Sequence, residues 1–300
     1  MRRPIIGITG ELEAARWGNW IREAVVSPVS YTRAVERAGG TPVVLPPVPA
    51  HSVPGLIDAL DGLVFTDGRD LDPALYEEEP HEQTDPPDHR RDRFELAVMR
   101  AVIDADLPFL AIGRGMHVLN VTRGGNITQH LPDRLGNESH RPDPVKLSTH
   151  EIQLSAASRI GRALNAGSAQ VPAGHHQGIN RIGSGLLTVA WTPDQVVEAV
   201  ELQGHAFGVG VQWHPEEGDD LLIFEALVNA AADAQLAAVA SAEVSANSGP
   251  SEANRPVVTE KAEKAEKAEK AEKAEEAEEA QAAAQPGTGG RRAKHSAARR

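Results

Sequence analysis

The chain contains no cysteine among its 300 residues. That absence excludes disulfides, thiolate metal sites and thiol nucleophiles, and it gives no reason to expect an oxidising compartment. Long apolar runs are also missing: none reads as long enough to span a bilayer, so no membrane partner is expected. The opening MRRPIIGITGELEAARW reaches Glu11 after a short apolar stretch. It lacks a secretory apolar region and cleavage site and reads as a first strand, which makes a cytoplasmic location the expectation.

Charge is unevenly spread. The net charge is −13, yet the last fifty residues carry 11 basic and 10 acidic side chains, leaving about −14 on residues 1–250. An acidic body disfavours phosphate backbones, so nucleic acid is not an expected partner. Solubility is the simplest account of the excess.

Composition divides the chain. Residues 1–240 read as one globular domain and 241–259, rich in Ser, Pro and Asn, as a flexible linker. Residues 260–285 repeat Glu-Lys-Ala, placing Glu260 four residues before Lys264 and Glu263 before Lys267. Such pairs contribute ~0.2–0.5 kcal/mol each. With alanine as the apolar residue and no face to bury, the repeat reads as an exposed single helix. Residues 286–300 end in RRAKHSAARR, a basic disordered tail whose few charges support a weak anionic partner at most.

Within the first 240 residues strand and helix signals alternate. Strands are expected at Ile5–Thr9, Val43–Leu45, Leu63–Thr66 and Phe109–Ile112. Helices are expected at Tyr31–Ala38, with Ser30 as N-cap and Gly39-Gly40 as stop, at Leu56–Leu60, at Arg93–Ala105 and from about Asp219. Residues 146–200 carry short alternating runs that suggest an antiparallel patch. The whole implies an α/β fold, a mostly parallel sheet with helices on both faces and its site beyond the carboxyl ends of the strands.

LPFLAIGRGMHVLNVTRGG then reads as a strand, a turn at Gly113 and a helix opening at Arg114. This is the layout of a nucleophile elbow, which lifts one side chain into a pocket above the sheet. Glycine has none to lift. Together with FTDGRDLDPALYEEEP, GHHQGIN, DQVVEAVE and GVGVQWHPEE, in that order, the segment resembles the class I glutamine amidotransferase-like hydrolases, specifically the γ-glutamyl-γ-aminobutyrate hydrolase (peptidase C26) group. The resemblance covers roughly residues 4–230. It implies a flavodoxin-like domain without a cofactor, and cleavage of γ-glutamyl amides through a Cys-His-Glu triad.

Carried over by position, Gly113 stands where the nucleophilic cysteine belongs, while His214 and Glu216 match the base and its orienting carboxylate. Gly68 and Arg114 match the oxyanion donors. Asp67, His117, His175, His176 and Gln177 fall on substrate-binding positions, Asp67 replacing a common glycine and His117 a glutamine. A carboxylate of Asp67 facing the pocket would oppose a developing oxyanion. Arg90 and Asp92 resemble a pattern beside the site. Loss of a triad nucleophile costs on the order of 10⁶ in turnover, and Thr66, Thr122 and Ser139 do not lie at the elbow to replace it. A single-nucleotide change alone could explain Gly113, but Asp67 and His117 point to a pocket that changed with it.

No metal site is expected: His175 and His176, taken with His205 or His214, would point to opposite sides of an extended chain, and no carboxylate has ligand spacing. The favoured reading is a hydrolase-family protein impaired in amide cleavage that binds a small γ-glutamyl or amine-containing ligand. An active hydrolase with another nucleophile, and a scaffold acting through its C-terminal tail, stand as alternatives. A homodimer is left open.

Overall fold

The computed structural model describes residues 2–247, the side chains of 241–247 excepted. The expectations for the rest of the linker, the Glu-Lys-Ala repeat and the basic tail lie outside the described residues. Met1–Ala242 form one compact unit.

The chain opens with β1 (Ile5–Thr9), a hairpin of β2 (Glu11–Trp17) and β3 (Trp20–Val26), α1 (Val29–Arg37), β4 (Thr41–Leu45), α2 (Val53–Ile57) and β5 (Gly62–Phe65). It continues through α3 (His89–Asp104), β6 (Phe109–Ile112), α4 (Arg114–Thr122), β7 (Asn126–Thr128) and α5 (Leu131–Leu135). Next come β8 (Ser148–Leu154), α6 (Arg159–Leu164), β9 (Ser168–Ala173), β10 (Gly178–Arg181), β11 (Leu186–Trp191) and β12 (Val197–Leu202). The fold closes with β13 (Gly208–Val211) and α7 (Leu222–Asn247).

Nine strands form one sheet in the order β4-β1-β5-β6-β13-β12-β11-β8-β9. The first five are parallel and the last four antiparallel. Numbered among themselves, the parallel strands run 2-1-3-4-5, the flavodoxin-like order. The antiparallel patch expected between 146 and 200 is the other half of the sheet.

Strand period two explains why these short apolar runs are buried on both faces. Val64, Leu110 and Ile112 join Phe224, Leu227 and Val228 of α7 in one core. Leu63, Phe65, Phe109 and Ala111 face the other way, onto Met99 of α3 and Met116 and Leu119 of α4. The 19 residues Leu222–Ala240 have a mean hydropathy of 1.4, long and apolar enough to cross a membrane by composition, contrary to the sequence expectation. Their apolar content has a local explanation, because Ile223, Phe224, Leu227, Val228 and Ala231 are buried against the sheet.

Several boundaries move. Helix α1 starts at Val29 behind Pro28, so Ser30 lies inside it and its hydroxyl caps nothing. Asp88 begins α3 by accepting the N–H groups of Arg90 and Arg91, which brings the helix start forward to His89. Helix α7 continues through the first residues assigned by composition to the linker, as far as Asn247. The β2–β3 hairpin was not expected. Its turn, Gly18-Asn19, joins facing Trp17 and Trp20, and Gly18 takes φ 53°.

Candidate active site

Three adjacent parallel strands deliver the site. Strand β5 ends into Thr66-Asp67-Gly68, β6 into Gly113, and β13 into Gln212-Trp213-His214, all at the carboxyl edge of the sheet. The N–H of Gly113 donates to Val211 O at 2.8 Å, tying the elbow to its neighbouring strand. Gly113 has φ 53° and ψ −113° and immediately precedes α4. Those angles are strained for any residue with a Cβ and free of that strain for glycine.

The space above Gly113 is filled from the neighbouring strand. A Cβ built on Gly113 would lie 2.7 Å from Cγ of Asp67 and closer still to Oδ1. Asp67 Oδ1 accepts the backbone N–H of Arg114 at 2.8 Å, and Oδ2 stands 3.9 Å from His214 Nε2. A carboxylate thus stands above Gly113, between His214 and the Arg114 N–H.

His214 and Glu216 are buried and paired, Nδ1 to Oε1 at 2.9 Å. Burial disfavours the imidazolium, but the hydrogen bond His214 donates to Glu216 and the charges of Asp67, Glu216 and Glu217 outweigh it and raise His214 to about 9. At neutral pH the residue is therefore a cation between two carboxylates, with no lone pair for general-base work. Tyr31, which the sequence did not suggest, accepts the N–H of Asp67 at 3.1 Å. Burial, with the charges of Glu216 and Asp67, pushes its phenol well above the usual range.

Beneath the elbow lies a buried ionic network. Arg91 donates to Glu95 at 2.9 Å, to Glu11 at 2.6 Å and to the carbonyl of Asp67 at 2.7 Å. Arg114 is bound to Asp92 and Glu95, and all four of Arg91, Asp92, Glu95 and Arg114 are buried. Gly68 has φ 154°, and a Cβ there would meet the Arg91 guanidinium carbon at 2.9 Å. Of the sequence candidates near this helix Asp92 is central. Arg90 is exposed, 3.7 Å from Glu23, and it is Arg91 that supports the turn. The Arg91–Glu95 spacing of four residues on one helix was the available signal.

A cavity of about 270 Å³ opens on the other side of Asp67, lined by Asp70, Asp85, Arg69, Arg141, His117 and Gln177 among others. His117 is buried and shares a hydrogen bond with Gln212 Oε1 at 2.8 Å. Burial pulls it down to about 4, so it is neutral at physiological pH. His176 reaches Asp70 at 3.2 Å, and the Gln177 amide donates to the carbonyl of Gln129 at 3.2 Å. His175 lines the same wall, but its ring turns into a buried group with His140, His150 and Glu198. The sequence set His175 beside His176, His205 and His214 and gave no reason to expect a metal; the structure sets it beside His140, His150 and Glu198. His205 and His214 are engaged with Asp106 and Glu216 respectively. Thr66 lies below the elbow, its buried hydroxyl donating to Thr9 O at 2.9 Å.

Residues 4–216 match the family model of Peptidase C26. The chain belongs to the peptidase C26 family. It is 44% identical over 232 residues to Rv2859c of Mycobacterium tuberculosis, which bears a glutamine amidotransferase name, covering 76% of this chain and 75% of the relative. It is 32% identical over 196 residues to the γ-glutamyl-γ-aminobutyrate hydrolase of Shigella flexneri, 62% of this chain and 76% of the relative. Among solved structures it resembles a GMP synthase-type protein of Thermoplasma acidophilum, with a TM-score of 0.55, 16% identity and coverage of 78% of this chain and 97% of that one. The glutamine amidotransferase-like fold and ancestry expected from the motifs are therefore established.

Proposed function

We propose that this peptidase C26 protein binds a small γ-glutamyl or amine-bearing compound without performing cysteine-dependent amide hydrolysis. One observation carries the reading: Asp67 fills the space above Gly113 and occupies the Arg114 N–H that would otherwise face an oxyanion. Hydrolysis of an amide needs a nucleophile, a free base and donors aimed at the developing negative charge. Here the first is absent, the second is protonated and the third already holds an anion.

The cavity beside Asp67 suits a zwitterion. Asp70 and Asp85 in its lining offer acceptors to an ammonium group, and Arg69 and Arg141 can meet a carboxylate. A γ-glutamyl compound presents both charges on its α-carbon. Isothermal titration calorimetry with γ-glutamyl-γ-aminobutyrate, glutamine and γ-glutamyl polyamine conjugates tests this. Saturable binding without consumption of the ligand is expected, weakened at least tenfold in Asp70→Asn. No binding by any of the three would overturn the ligand assignment.

A second reading takes Asp67 itself as the nucleophile, favoured by its place between His214 and the Arg114 N–H. Attack by its carboxylate on an amide would form an anhydride and expel an amine protonated by His214. The anhydride lies above the amide in energy, which ranks this reading second. Single turnover in ¹⁸O-water separates the two, because hydrolysis of the anhydride can leave the label on Asp67.

A further inference from the structure

Away from the elbow, four side chains from four separate segments converge. His150 comes from β8, Glu198 from β12, His175 from the turn after β9 and His140 from the loop before β8. All four are buried, and one ligand atom from each lies within 4.8 Å of the others.

Hydrogen bonds on the outer edges of the three rings decide which nitrogens carry protons. His175 Nδ1 is 2.8 Å from the carbonyl of Gln177, which can only accept. His140 Nε2 is 2.9 Å from the Asp194 carboxylate. His150 Nε2 is 3.1 Å from Ser148 Oγ, whose one proton goes to Ala173 O, so the hydroxyl accepts from the ring. Each neutral ring therefore turns a lone pair inward. Those inward nitrogens meet one another and a carboxylate: His140 Nδ1 is 3.3 Å from His175 Nε2, which is 3.2 Å from Glu198 Oε1. His140 Nδ1 and His150 Nδ1 stand 3.6 and 3.9 Å from the same oxygen. His150 Nδ1 and Glu198 Oε2 have no hydrogen-bond partner although buried. Lone pairs facing lone pairs among buried side chains call for a cation between them.

We infer that His140, His150, His175 and Glu198 form a structural zinc site. The separations of 3.2, 3.3 and 3.6 Å among His140, His175 and Glu198 match the roughly 3.3–3.4 Å that tetrahedral bonds of about 2.0–2.1 Å impose, and His150 at 3.9 Å need move only a few tenths of an ångström inward. Imidazole and carboxylate ligands suit zinc, and outer acceptors that fix each ring's tautomer are the usual support of such sites. Four protein ligands close the coordination shell, which argues against a catalytic ion. The ion would pin the turn at Gly174–Gln177, one wall of the cavity beside Asp67, to the antiparallel half of the sheet.

The test is the metal content of the full chain purified without chelator, followed by zinc and cobalt titration of the chelator-stripped protein. One equivalent of zinc per chain is expected, a thermal midpoint that falls on stripping and returns with one equivalent, and the visible absorption of four-coordinate cobalt. Glu198→Gln should abolish stoichiometric binding. Asp194→Asn, at a partly exposed position that orients His140, should weaken it by about 10–100-fold, and His51→Gln, at an exposed position, should leave it unchanged. Zinc content well below stoichiometric with no saturable uptake would overturn the proposal. So would stoichiometric binding indifferent to both Glu198→Gln and Asp194→Asn. Neither outcome depends on whether the neighbouring cavity binds a γ-glutamyl compound.

Discussion

The carboxylate of Asp67 accepts the backbone N–H of Arg114 at 2.8 Å, directly over the α-carbon side of Gly113. The two strand ends are therefore sterically linked: a side chain at 113 cannot be accommodated while Asp67 stays where it is.

Placing a cysteine at 113 alone is therefore expected to fail. Gly113→Cys adds a Cβ at φ 53° and against Asp67 Cγ, at a cost of about 1–3 kcal/mol in strain. Denaturant unfolding checks the loss, and the variant should show no γ-glutamyl hydrolysis. The double change Gly113→Cys with Asp67→Gly should recover most of the stability. Its thiol, beside the His214 cation, should alkylate with iodoacetamide well below pH 8.

The two buried histidines of the site should titrate in opposite directions from an unperturbed value near 6.5. His214 is raised to about 9. Its contribution to stability, up to about 3 kcal/mol, is fully present below pH 6.5 and is lost as pH rises through 9. NMR titration should show this, with Asp67→Asn moving the midpoint down.

His117 behaves conversely. It is lowered to about 4, so the folded state resists protonation and stability declines as pH falls from 6.5 towards 4. His117→Gln, which keeps a polar group near Gln212, should flatten that acid limb in pH-dependent unfolding measurements.

Much of this arrangement was legible in the sequence. Ile5–Thr9 and Phe109–Ile112 are strands at the residues expected, because short apolar runs between turn signals have few other uses in an α/β chain. His214 and Glu216 pair as their motif implied. What could not be read were contacts between residues far apart in sequence. Arg91 meets Glu11 eighty positions away, and His140 and Glu198 join only because β8 and β12 lie in the same half of the sheet. The hairpin was missed for a different reason: its strands are charged and half-exposed, so only the Gly18-Asn19 turn signals it.

The network beneath the elbow should be costly to break. Arg114→Met strands Asp92 and Glu95 in a buried setting and is expected to destabilise the fold by about 3–5 kcal/mol. Thermal unfolding against an exposed control, Arg90→Met, checks it, and the control should change little.

The most direct measurement is the mass balance of γ-glutamyl-γ-aminobutyrate incubated with the wild-type chain and with His214→Ala. With Asp67 filling the space above Gly113, glutamate release should be equal in the two and no greater than in buffer. Release that the wild type supports and His214→Ala abolishes would contradict the account.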